Sequence, residues 1–60
     1  MYKIERQEKI LDYINKNNRA SIAELSEMFK VSKVTIRTDL EDLEGKNLVN
    51  KTHGGVVCKD

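Results

Sequence analysis

The segment that decides the fold spans residues 31–40 and reads Val31-Ser32-Lys33-Val34-Thr35-Ile36-Arg37-Thr38-Asp39-Leu40. Ser32 is a natural helix N-cap, because its hydroxyl can accept a hydrogen bond from a free backbone N–H of the first turn. Ile36, Leu40 and Leu43 then recur at i, i+4 and i+7, the spacing of an apolar stripe on one helix face. The segment therefore predicts a helix from Lys33 to about Lys46 that packs on a core.

Charges lie along this helix against the direction of its dipole. Residues 30–38 hold three bases and no acid, whereas residues 39–44 hold four acids and no base. Bases near a helix N-terminus and acids near its C-terminus both weaken the helix itself. Such a pattern suggests that the bases serve a bound anion, and a nucleic-acid phosphate backbone is the main candidate. The plainer alternatives are a solvated face and a local pair between Arg37 and Glu41 at i, i+4.

The side of this helix opposite the apolar stripe carries residue types that suit base recognition. Val34 and Thr38 project there, flanked by Lys33 and Arg37. The two bases can donate to guanine O6 and N7 or to phosphates, and arginine suits the bidentate contact better. Val34 suits contact with a thymine methyl group, although single exposed apolar residues are also ordinary. Ser32, Thr35 and Thr38 can bond to phosphate or base, and the helix N-terminus can offer N–H groups.

Size and composition exclude several classes of protein. Sixty residues with a net charge of +1 make one small domain with little room for an enclosed active site. A lone His53 without a nearby nucleophile is no catalytic triad, so we expect no enzyme and no cofactor. His53 and the single Cys58 cannot complete a zinc site. With no apolar run near the ~20 residues of a membrane span and no signal sequence, we expect a cytoplasmic protein without a membrane partner.

Two further helices precede this segment. Helix 1 is predicted from Lys3 to Asn17, with a core face made of Ile10, Leu11 and Ile14, extended by Ile4 and Tyr13. Helix 2 begins at Ser21, because Ser21 and Glu24 have the spacing of a capping box. Its core face consists of Ile22, Leu25, Met28 and Phe29. It ends near Lys30, and so tight a link to the Ser32 cap predicts a helix-turn-helix.

A hairpin is predicted after the third helix. Two short runs with β-branched residues, within residues 48–58, flank Gly54-Gly55, a pair that suits a turn needing positive φ. Because an isolated hairpin is marginal, it should pack on the helices, with a third short strand near residues 20–22. The fold class is therefore mainly α with a small β-hairpin, a winged helix-turn-helix of three helices plus a wing.

These residues resemble the DeoR-type transcriptional repressors over nearly the whole chain. The resemblance rests on Arg6, Ile10, Ile14, Ser32, Thr35-Ile36-Arg37, Asp39-Leu40 and Thr52-His53-Gly54-Gly55. Three features depart from the family pattern. Thr38 replaces the second arginine of a pair, and Lys30 stands where glycine is frequent. At the end of the third helix, the glycine stands at position 45 and an asparagine at position 47, an exchange of the family's usual placement of glycine.

The resemblance implies that residues 1–60 form the DNA-binding domain of a longer repressor of sugar or carbohydrate genes. The third helix would enter the major groove of double-stranded operator DNA, and the wing, about 48–58, would lie at the minor groove or the backbone. A C-terminal domain would bind an effector, such as a phosphorylated sugar, and would form a homo-oligomer, whereas the present piece would be monomeric. The alternative is a winged helix that binds a protein and no DNA.

The residues predicted to contact DNA fall on the third helix, the wing and the first helix. They are Ser32, Lys33, Val34, Thr35, Arg37, Thr38, Lys51, His53, Gly54, Gly55 and Arg6. For His53 the residues alone favour a solvent-exposed turn histidine, and the DNA contact is what the resemblance implies. Arg6 is nearly as consistent with an ordinary surface arginine.

Overall fold

The computed structural model describes residues 2–59, which form three helices and one antiparallel sheet. The helices are α1 (Lys3–Asn17), α2 (Ile22–Phe29) and α3 (Lys33–Gly45). The strands are β1 (Arg19–Ser21), β2 (Val49–Thr52) and β3 (Gly55–Cys58), in the sheet order β1-β3-β2. This is the predicted winged helix-turn-helix, including the third strand. None of the helices within residues 2–59 is long and apolar enough to cross a membrane.

Local capping interactions set the helix ends where the sequence predicts them. The Glu24 N–H donates to Ser21 Oγ at 3.0 Å and the Ser21 N–H donates to Glu24 Oε1 at 3.2 Å, which completes the capping box of α2. The Thr35 N–H donates to Ser32 Oγ at 3.1 Å at the start of α3. Asn18 ends α1 in the left-handed region, with φ 73°. Asn47, with φ 62°, does the same after α3.

The turn between α2 and α3 is short and internally hydrogen-bonded. Lys30 caps α2 with φ 56°, the left-handed conformation that explains why a glycine suits this position. Ser26 closes the turn from α2: its hydroxyl donates to the Val31 carbonyl at 2.6 Å, and its own carbonyl accepts from the Val31 N–H at 3.2 Å. These bonds fix the angle at which α3 leaves α2.

The core lies between the three helices and the inner face of the sheet. Its buried apolar residues are Ile10, Ile14, Ala20, Ile22, Leu25, Ile36, Leu40, Leu43, Val49 and Val56. Two predicted core residues are in fact exposed, namely Ile4 at 73% and Met28 at 45%. At 100° per residue, Ile4 lies about 120° from Ile10 and Met28 lies about 120° from Ile22. Both therefore sit at the edges of their apolar stripes.

The wing turns one residue earlier than predicted. Thr52 pairs with Gly55 in the β2–β3 register, so the turn consists of His53 and Gly54, and Gly54 has φ 79°. Gly55 is the first residue of β3 and is buried. A Cβ there would lie 2.7 Å from the Ala20 carbonyl oxygen of β1. The two glycines thus have separate roles, since Gly54 supplies the positive φ and Gly55 permits close approach of β1.

Candidate nucleic-acid interface

The first half of α3 presents the predicted face to solvent. Val34 is 65% exposed, and Lys33, Arg37 and Thr38 are exposed beside it. Ile36, on the opposite side, is completely buried against the core. The capped N-terminus of α3 therefore projects a surface made of two bases, a valine and a threonine.

The bases of this half are free of internal partners. Among residues 2–59, the ion pairs are Lys3–Asp42, Arg6–Asp39 and Lys51–Glu41, and none involves Lys30, Lys33 or Arg37. The alternative of a local Arg37–Glu41 pair is not realised, because Glu41 accepts from Lys51 Nζ at 3.3 Å instead. Three positive charges are consequently available to an external anion.

The acids in the second half of α3 bind other parts of the fold. Asp42 accepts from Lys3 of α1 at 3.0 Å and from Gln7 at 3.1 Å, and these two contacts lower the pKa of Asp42. Glu44 accepts from the Lys51 backbone N–H of β2 at 3.1 Å. The acids therefore attach α3 to α1 and to the wing.

Asp39 is the deepest of these anchors. Its carboxylate is 1% exposed and accepts from Arg6 Nε, from Arg6 Nη2 at 3.1 Å and from Gln7 Nε2 at 3.2 Å. The hydrogen bond from Arg6 to Asp39 raises the pKa of the guanidinium. Sequence reasoning missed this cluster, although one indication was present. Asp39 stands at i+3 from Ile36, where an amphipathic stripe expects an apolar residue.

The hydroxyls of α3 are engaged with the helix itself. Ser32 Oγ donates to Thr35 Oγ1 at 3.1 Å, in addition to accepting the capping bond. Thr38 Oγ1 donates to the Val34 carbonyl at 3.1 Å, one turn back. Any external acceptor would have to replace these internal bonds at Ser32 and Thr38.

The wing lies next to α2 and borders an open groove. The Ile22 N–H at the start of α2 donates to the Gly54 carbonyl at 3.1 Å, which ties the turn to the helix. An open groove of about 650 Å³ runs beside the turn, lined among others by Tyr13, Arg19 and His53. Across residues 2–59, no group of three His, Cys, Asp or Glu side chains is placed to hold a metal ion.

The chain matches the family model described as the DeoR-like helix-turn-helix domain over residues 6–60. The chain belongs to this family. It is 44% identical over 57 residues to the HTH-type transcriptional regulator GolR of Listeria innocua, covering 95% of this chain and 22% of that protein. It is 44% identical over 55 residues to the lactose phosphotransferase system repressor of Streptococcus mutans, and the match covers 92% of this chain and 22% of that repressor.

A third relative of this DeoR-like domain is the L-fucose operon activator of Haemophilus influenzae, 44% identical over 52 residues, which cover 87% of this chain and 21% of the activator. The domain thus spans about a fifth of the length of the relatives named here. No solved structure matches it.

Three residues that were predicted to contact DNA are paired or buried within the DeoR-like domain. Arg6, predicted to reach phosphate, has a side chain that is 12% exposed and paired with Asp39. Lys51 is partly buried and its ammonium pairs with Glu41. Gly55 is buried under β1, because the turn forms one residue earlier. The other predicted residues are exposed at the start of α3 or in the wing turn, except Thr35, which is half-buried.

Proposed function

We propose that this DeoR-like domain binds double-stranded operator DNA sequence-specifically, with α3 in the major groove. The supporting observation is the division of charge along α3. Within residues 2–59, its exposed N-terminal half has bases without internal partners, whereas the acids of its other half are bound to α1 and β2. In helix-turn-helix proteins the second helix of the motif enters the major groove, and its N-terminal residues contact base edges.

Each exposed residue has a role in this proposal. Arg37 donates to guanine O6 and N7, and Val34 contacts a thymine methyl group. Lys33 and Lys30 neutralise phosphates, with the help of Ser32 and the free N–H groups of the first turn. The wing turn, His53-Gly54, lies at the minor groove or the backbone. Arg6, Lys51 and Gly55 are not in the proposed contact surface.

The larger protein is proposed from the relatives. Two of those named above are called a lactose phosphotransferase system repressor and an L-fucose operon activator. By analogy, we place the domain in a longer, cytoplasmic, oligomeric regulator of carbohydrate genes, with repression as the expected mode. An effector such as a phosphorylated sugar would bind outside these sixty residues.

The test is a titration of the sixty-residue chain with duplexes selected from a random library. Arg37→Ala should weaken binding to the selected site by about 1–3 kcal/mol, because a bidentate guanine contact is lost, and should relax specificity at one position. Lys9→Ala is the matched control, since it removes one positive charge from an exposed position on α1. Equal affinities for Arg37→Ala and the unmodified chain would contradict the assigned role, and failure to bind any duplex would favour the protein-binding alternative.

A further inference from the structure

The exposed side of α3 is organised as two parallel ridges. Lys33 and Arg37 form a basic ridge at i, i+4, and Val34 and Thr38 form a second ridge beside it at the same spacing. All four side chains are exposed. The second ridge is the less expected of the two, because an aliphatic residue with 65% of its surface in water stands at its head.

The orientation of Thr38 determines the chemistry of this second ridge. Its hydroxyl donates to the Val34 carbonyl at 3.1 Å, so the oxygen is turned towards the helix backbone. The γ-methyl group is then the part of Thr38 left to face outwards. Together with the methyl groups of Val34, it makes the ridge apolar, and the ridge is bordered by two positive charges.

We propose that Thr38 acts through its methyl group and that Val34 and Thr38 together select two thymine methyl groups in the major groove. This inference rests on the proposed function. Thymine is the base that offers a methyl group in the major groove, and the adjoining Lys33 and Arg37 favour a negatively charged polymer as the partner. No acid lies within residues 30–38 to oppose it.

The spacing of the ridge limits where the two thymines can lie. Residues four apart on a helix are separated by about 6 Å along its axis, at ~1.5 Å per residue. Stacked base pairs are separated by about 3.4 Å. The two methyl contacts therefore fall on neighbouring or next-but-one base pairs, next to the base that Arg37 reads.

The first experiment compares two variants of Thr38 in a titration with the selected duplex. Thr38→Val keeps the methyl group and removes the hydroxyl, whereas Thr38→Ser keeps the hydroxyl and removes the methyl group. We expect Thr38→Val to bind within about twofold of the unmodified chain and Thr38→Ser to bind about three- to fivefold more weakly, the effect of one buried methyl or methylene group. The reverse order would assign the contact to the hydroxyl and overturn the inference.

The second experiment removes the methyl groups from the DNA. Each thymine of the selected site is replaced in turn by deoxyuridine, which lacks only the 5-methyl group. Two positions should each weaken binding about three- to fivefold. Val34→Ala should be insensitive to the change at one of them and Thr38→Ser at the other. Thermal melts followed by circular dichroism confirm that each variant is folded.

The outcomes separate this inference from the proposed function. If the selected duplex binds with normal affinity at every deoxyuridine position, DNA binding stands and the methyl contacts are excluded. If both variants keep full sensitivity at both positions, the methyl groups are read by other residues and the inference also fails. Absence of binding to every duplex would overturn the proposed function, and this inference with it.

Discussion

Burial of the Asp39 carboxylate is compensated by three donors on α1. Two come from the guanidinium of Arg6 and one from the amide of Gln7. A buried ion pair adds little net stability over an apolar pair of the same volume, but removing one partner leaves a charge without compensation. The pair therefore acts mainly as a positional constraint, holding the residue next to Thr38 against the first helix.

Removal of either member of this pair should destabilise the domain strongly. For Asp39→Leu or Arg6→Met alone we expect a loss of about 3 kcal/mol in the free energy of unfolding, the lower end for a broken buried pair because Arg6 keeps some exposure. The double variant Arg6→Met/Asp39→Leu should lose much less than the sum. Gln7 keeps Asp42 as an acceptor in each case. Urea titrations followed by circular dichroism measure the cycle, and strictly additive losses would contradict the coupling.

Gly55 and Gly45 form a matched pair for testing close approach. Gly55→Ala places a Cβ 2.7 Å from the Ala20 carbonyl oxygen, so the wing or β1 must shift. We expect a loss of about 1–3 kcal/mol in the free energy of unfolding. Gly45→Ala meets nothing within 4 Å and lies in a helix, so it should stabilise the domain by up to about 1 kcal/mol. Thermal melts compare the stability of both variants with that of the unmodified chain. Equal changes in melting temperature for Gly55→Ala and Gly45→Ala would refute the steric explanation.

Glu24 makes the free energy of unfolding depend on pH in the acid range. A hydrogen bond from the Tyr13 hydroxyl, followed by the one from the Ser21 N–H, lowers the pKa of Glu24 below its ordinary value of 4.5. The folded state therefore binds this proton less readily than the unfolded state, and the associated stability is present above pH 4.5 and is lost as the pH falls through the lower, folded pKa. Glu24→Gln should remove this part of the acid dependence. Urea midpoints measured from pH 7 to pH 3 for both proteins test it, and parallel curves would contradict it.

At the scale of elements, α3 has two halves with different partners. Its N-terminal half has a capped start, exposed bases and one buried isoleucine, whereas its C-terminal half is joined to α1 and β2 through its acids. The unfavourable arrangement of charge relative to the dipole thus has two causes. The acids hold the helix in place, and we propose that the bases serve an external anion.

The helix starts and the core faces are the features of the elements that the sequence could predict. Caps depend on residues three apart, so Ser21, Glu24 and Ser32 indicated the starts of α2 and α3 correctly. The apolar stripes identified the core faces, except at their edges, where Ile4 and Met28 lie.

The contacts that the sequence could not predict are those between distant segments. The partners of Arg6, Lys51 and Gly55 are distant in sequence, and no local pattern shows which carboxylate or carbonyl a chain segment will meet. The wing turn was misplaced because a Gly-Gly pair fits two registers, and contact with β1 selects one of them.

For the whole molecule, the net charge of +1 understates the charge available to DNA. The ion pairs among residues 2–59 leave Lys33 and Arg37 unpaired on α3 and Lys30 unpaired in the turn that precedes it. Binding to DNA releases counterions in proportion to the number of phosphates that are neutralised. Of these three bases, Lys30 and Lys33 are assigned to phosphates and Arg37 to a guanine, so the two lysines set the expected salt dependence of the domain.

The slope of log K against log[salt] should be about −1.8 per domain, from the two phosphate contacts of Lys30 and Lys33 at ~0.9 each, because Arg37 is assigned to a base. Lys33→Ala should flatten this slope by about 0.9, because it removes one available charge. Lys51→Ala is the comparison variant and should leave the slope nearly unchanged, since its ammonium is paired with Glu41. Fluorescence titrations between 50 and 200 mM salt measure all three slopes. An affinity independent of salt would contradict DNA binding through this surface.

The position of β3 has a consequence for how the domain is made. This strand pairs with both β1 and β2, yet it follows every other element in the chain. During synthesis the helices emerge first, while the two outer strands have no partner until residues 55–58 leave the ribosome. A nascent chain that stops earlier exposes the inner faces of Ala20 and Val49 to water. Formation of the sheet therefore has to wait for the last strand of the domain, and a chain cut before residue 55 cannot assemble the wing.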